Sequence, residues 1–285
     1  MPLVHKGLKE LSYDNFEWNT DAYQAFLCGE KADIGGGTIE KDEIDIICGY
    51  PELTSICISG LHQDTFDYFV TTYGKQFKAI LFFKNKMVSD LSALGTLDHI
   101  EAIGYFLNQR AEQLWDMSGN KHLKMLGIND FSRLHDFSGI EKAPELEYLS
   151  FGNLVWAKSK MSCIPNLNDS ALKRISFNAA IDYEGLHRFL SIKGLEKLDF
   201  RANLYPTEFL AWICANYPDL QGECLKPYIM YDEKSGAICG KRKKYLEDIS
   251  SEKAQKAIQK AEEDFDKMKK RFAGISFEEI INNIS

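Results

Sequence analysis

The chain has 285 residues, of which 45% are hydrophobic and 27% charged, and it carries a formal net charge of -8 with a pI near 5.4. That balance belongs to a folded chain. It excludes a general affinity for nucleic acid, because neutralising phosphates takes clustered Lys and Arg.

Residues 1–6 contain no apolar signal core, and no stretch approaches 18 uncharged apolar residues, so no membrane association is expected. Seven cysteines, at 28, 48, 57, 163, 214, 224 and 239, make an odd count without CxxC spacing. They predict reduced thiols, and with the missing signal they give a cytoplasmic protein as the expectation.

Residues 1–50 show apolar pieces (Phe16, Trp18, Tyr23, Phe26, Leu27) without a regular pattern, and are expected to form an N-terminal cap. The Gly-Gly-Gly-Thr run at 35–38 is expected to be a turn, since no Gly-Lys-Ser/Thr follows it. From Leu53 a pattern of three apolar anchors begins: Leu53/Ile56/Ile58, Phe77/Ile80/Phe82, Ile100/Ile103/Tyr105, Leu123/Leu126/Ile128, Leu146/Leu149/Phe151, Leu172/Ile175/Phe177 and Leu195/Leu198/Phe200. First anchors are 23 to 26 residues apart. A fixed period in this range predicts a solenoid over 51–225, an α/β architecture whose parallel β-sheet has about seven to eight strands.

Connections between the strands vary. Residues 64–70 and 207–214 have helical spacing, the second with Thr207 as expected N-cap behind Pro206. Residues 132–145 predict short helical turns, and 155–171, with Pro165, a surface loop. Past Leu220 the pattern decays, and residues 226–285 are expected to form a C-terminal cap. A hairpin spans 227–240 there, the basic run at 241–244 is a solvated turn or strand end, and a helix begins near Ser251. Its stripe Ala254, Ile258, Ala261, Phe265, Met268, Phe272 ends near Gly274. Two uses of the stripe stay open: docking on the solenoid end, giving a monomer, or a coiled-coil dimer or partner helix.

Alternation within each strand points the anchors to one face and the third, fifth and seventh positions to the other. On that second face Leu81, Phe83, Phe106, Met125 and Tyr148 form an apolar and aromatic group. Arg174, Lys197, Asp199 and Arg201 make the later strands charged, and small residues (Gly104, Gly127, Ser150, Ser176) lie between. Clustered outward aromatics predict a surface for a partner protein, because binding hot spots favour aromatic and Arg anchors. The competing expectation is that a terminal segment folds over this face. The six histidines are scattered, and neither metal-ligand spacing nor a nucleophile motif occurs. No catalytic residue, metal or cofactor is therefore assigned.

The segments at 146–151 and 195–203, with Asn85, Asn108 and Asn203, make the chain resemble the leucine-rich-repeat superfamily, in particular small cytoplasmic leucine-rich-repeat proteins of bacteria. The Asn is missing at Phe131, Leu154 and Ala180. The resemblance implies a horseshoe with a concave parallel sheet, and protein-protein recognition without enzymatic activity. An enzyme or small-ligand binder using the concave groove is the alternative.

Overall fold

The computed structural model describes residues 4–5, 11–29, 37–152, 163–201, 203–241 and 244–284. It has an α/β fold that divides into two compact units, the first made of 1–173 with 178–194 and the second of 174–177 with 195–285.

In the first unit, β1 (Val4–His5) pairs antiparallel with β2 (Ala25–Cys28). Strand β2 then opens a parallel series: β3 (Ser55–Ser59), β4 (Ala79–Phe83), β5 (Ala102–Asn108), β6 (Met125–Phe131) and β7 (Tyr148–Gly152). The register fixes a constant step. Ile56 lies opposite Ile80, Ile80 opposite Ile103, Ile103 opposite Leu126, and Leu126 opposite Leu149. Side chains separated by 23 or 24 residues are thus stacked on one another, which is the contact that a periodic apolar pattern requires.

Every anchor of the first unit is buried to 3% exposure or less. Phe82 stacks on Tyr105 at 5.2 Å, and Phe131 meets Tyr105 edge-on at 5.0 Å. Helix α1 (Lys41–Ile44) precedes β3, and α2 (Gln63–Thr72) follows it, laying Phe66 and Phe69 against Phe82. Between later strands the connections shrink to 3₁₀ turns such as Ser92–Thr96, Met117–Gly119 and Ile140–Lys142. Helix α3 (Tyr183–Leu190) also belongs here. Asp182 caps it by accepting a hydrogen bond from the Gly185 amide.

Two buried asparagines tie the strand ends together. Asn85 donates to the Ile58 carbonyl and accepts from the Leu61 amide. Asn108 donates to the carbonyls of Asn85 and Val88 and accepts from the amides of Arg110 and Ala111. At the next register step stands Phe131, which fills its place with a ring. Asn203 is exposed and so does not continue this buried pair. Leu154 lies outside the described residues, as do Gly35 and Gly36 of the glycine run, the whole 155–162 stretch and the middle of the basic run at 241–244.

The second unit holds β8 (Arg174–Asn178, of which 174–177 belong here) paired in parallel with β9 (Lys197–Phe200). Leu198 and Phe200 are buried, whereas Leu195 is only half-buried. Helix α4 (Thr207–Asn216) follows. Its N-cap is Pro206 rather than Thr207, whose hydroxyl donates instead to the Cys239 carbonyl. The expected hairpin is a three-stranded antiparallel sheet of β10 (Tyr228–Met230), β11 (Gly236–Ile238) and β12 (Lys244–Leu246). Asp232 closes its first turn by accepting from the amides of Lys234 and Ser235.

Helix α5 (Glu252–Phe272) starts at Ser251, whose hydroxyl accepts from the Ala254 amide. Ala254, Ile258, Phe265 and Phe272 of the expected stripe are buried within this unit. Ala254 and Ile258 pack with Leu246, and the helix end is tied to α4 by Asn216, which donates to the Phe272 carbonyl and accepts from the Gly274 amide. A further helix, α6 (Phe277–Ile284), follows the left-handed Gly274.

Candidate functional site

The face of β3–β7 opposite the anchors is occupied by residues 11–23 of the same chain. Phe16, Ala22 and Tyr23 form a buried cluster with Cys57, Ala79, Leu81 and Ala102, and Leu11, Phe26, Phe83, Met125 and Tyr148 pack against it half-buried. Small residues make the close approach possible. A Cβ added at Gly104 would lie 2.9 Å from the Phe16 carbonyl oxygen, and one at Gly127 would lie 2.7 Å from Cγ of Glu17.

The two sequence expectations for the apolar group meet here. Leu81 is fully buried, and Met125 and Tyr148 are half-buried beneath the N-terminal segment, so these residues are not an open patch. The physical reason is direct. A row of apolar side chains beside glycines is left bare only at a large solvation cost, and residues 11–23 supply the aromatic cover. The competing expectation, a terminal segment over the face, is what the fold adopts. Residues 1–50 therefore do more than close an end, since β2 extends the sheet while 11–23 lie across it.

At the centre of the cover is a buried carboxylate, Glu17, 4% exposed. Asn129 Nδ2 and Ser150 Oγ donate to its Oε2 at 2.9 and 2.8 Å, and Tyr148 OH donates to Oε1 at 2.8 Å. All three donors are neutral. Burial raises the carboxyl pKa above its ordinary value, against the lowering effect of these hydrogen bonds, and nearby Asp14 adds to the rise. Burial and the same carboxylate push the Tyr148 hydroxyl far up as well. Around this centre Phe16 meets Tyr148 edge-on at 5.7 Å, Tyr13 donates to Glu147, and the Tyr23 hydroxyl donates to the Phe16 carbonyl.

One strip of the face stays half open. Phe83 and Phe106 stack at 5.4 Å, Phe26 meets Phe83 edge-on, and the Lys84 ammonium lies 5.0 Å from the Phe83 ring centre. The charged residues expected to continue the site, Arg174, Lys197, Asp199 and Arg201, belong to the second unit. There Lys197 pairs with Asp199 at 3.1 Å, Asp199 also accepts from the Glu223 amide, and Arg201 is exposed.

Sequence reasoning missed Glu17, Asn129 as a donor, and Tyr13. The only signal was an acidic residue between Phe16 and Trp18, which has no meaning until its partners more than 110 positions away are known.

Elsewhere, the second unit has a cleft of about 510 Å³ whose walls include Cys214, Tyr217, Glu262, Phe265, Asp266 and Lys269. Burial raises the Cys214 thiol to about 11, so it is protonated and a poor nucleophile at neutral pH. Among the described residues no group of three or more His, Cys, Asp or Glu is placed to hold a metal ion, and no helix is long and apolar enough to cross a membrane. No protein-family profile, curated protein or solved structure matches the chain.

Proposed function

We propose that the chain is a non-enzymatic interaction scaffold of the leucine-rich-repeat kind, a solenoid over 51–225 that meets a partner protein on the face opposite its anchors. The observation that carries the proposal is that this face of the first unit already accommodates a non-strand polypeptide, residues 11–23, through aromatic anchors and a side-chain carboxylate. A surface that takes up a peptide in this way has the parts that protein recognition uses: desolvated aromatic pockets, small residues for close approach, and polar groups that fix register. The half-open rings Phe83 and Phe106 offer the point of first contact.

Placing a photoreactive amino acid at position 106, with one at the exposed position 72 of α2 as control, tests the proposal in cells of the source organism. Adducts to one discrete protein from position 106 and none from position 72 support it. Equal adducts from both positions, or none from 106, overturn it.

A further inference from the structure

We infer that residues 11–23 are a displaceable self-ligand, and that the partner of this face presents the same chemistry in trans: an aromatic side chain followed directly by a glutamate, on a segment that folds into a turn. The inference rests on the proposed interaction face and names the occupant it takes.

Three observations lead to it. First, residues 11–23 contain no strand, and their backbone hydrogen bonds close turns within the segment, from the amides of Asn15 and Phe16 to the Ser12 carbonyl and from Ala22 to Asn19. The hold on the sheet comes from side chains, chiefly Phe16, Glu17 and Tyr23, as in a docked peptide. Second, the sheet offers a preformed socket. Asn129, Tyr148 and Ser150 sit on adjoining strands β6 and β7, and their donors converge on both oxygens of one carboxyl group beside the floor made by Gly127. Replacing a buried charge with a well-packed apolar residue often stabilises a fold, so the socket adds specificity at the expense of grip. Third, Trp18 beside the socket is 44% exposed, so the segment carries apolar surface that its own face does not bury.

The cis segment competes at an effective concentration on the order of millimolar, as short tethers do. A partner therefore displaces it by making further contacts, for which the half-open Phe83 and Phe106 lie adjacent. Acid favours occupancy. The titratable groups acting on Glu17 are Asp14 and Tyr23 from the segment and Tyr148 from the sheet; Cys57 faces Tyr23, and at the margin Glu147 is held by Tyr13 and Lys173. Glu17 is the one whose raised pKa brings its titration towards neutrality, so a bound Glu is held more tightly as pH falls.

The test uses the full chain carrying Phe16→Ala, which removes the main anchor, and, in case that variant folds poorly, Tyr23→Phe, which removes only the hydroxyl bonded to the Phe16 carbonyl. The probe is a capped peptide with the sequence of residues 13–18, together with its Glu→Gln and Phe→Ala forms. Hydrogen exchange at 11–23 is expected to rise about tenfold or more while β4–β6 keep their protection. The peptide is expected to bind saturably, with affinity roughly threefold or more higher at pH 5 than at pH 8. The Gln form should lose that pH dependence, and the Ala form should not bind. Loss of protection in β4–β6 together with 11–23 in both variants overturns the inference, as does release of the segment without peptide binding. If position 106 still captures a partner in either case, the interaction face stands and only the self-ligand falls.

Discussion

Lys84, Leu107 and Asp130 have φ of 60°, 68° and 56°, and Gly60 has 88°; Gly60 and Lys84 directly follow β3 and β4, and Leu107 and Asp130 are the next-to-last residues of β5 and β6. Left-handed backbone costs an L residue roughly 1–2 kcal/mol, which glycine escapes. Lys84→Gly should therefore raise stability by no more than about 0.5 kcal/mol once the extra freedom of unfolded glycine and the lost contact of the ammonium with the Phe83 ring are subtracted. Gly60→Ala should lower it by about 1 kcal/mol or more, and urea melts of both variants check the pair. None of this strain was legible in the sequence, because only one of the four positions is the glycine that such a backbone favours. Glu17 gives the second prediction at this scale. Its pKa is raised by burial, so its contribution to stability is complete below its unfolded value and is lost as pH rises through the raised value. The melting temperature of the parent relative to Glu17→Gln should fall across that interval. A difference that does not change with pH would mean that Glu17 titrates as it does in water. Carboxylates such as Glu147, lowered first by its hydrogen bond from Lys173, work in the opposite direction and cancel in the comparison.

At the scale of elements, strands were the legible part. Anchors three and five positions apart at a constant step fix which side chains face inward, and the register places Ile80, Ile103, Leu126 and Leu149 side by side. Helices read less evenly. The start of α5 was visible because Ser251 combines a capping hydroxyl with the 4-3-4-3 apolar stripe that follows. Strand β12 and helix α6 were missed, since three residues in a basic run and eight after a glycine are too short for a period to register. The stripe of α5 had two readings by pattern alone; in the fold Phe265 is 3% exposed within the second unit. Phe265→Ala should cost that unit about 3–5 kcal/mol, as a buried ring truncated to a cavity does, and calorimetry should show the loss. A cost below about 1 kcal/mol would mean the helix is loosely held.

For the whole molecule, the sequence identified which face carries aromatics but not what lies on it. The covering segment has no period, and its contacts span separations such as 131 residues between Glu17 and Tyr148, which no local pattern encodes. What distinguishes an occupied recognition face from ordinary core is energetic. A self-ligand held by side chains opens on its own, whereas core opens with the strands it packs on. Native-state hydrogen exchange of the unmodified chain measures this directly. Amides in 11–23 are expected to exchange through a local opening at least about 2 kcal/mol smaller than the opening that exposes β4–β6. Equal opening free energies for the segment and those strands would contradict it.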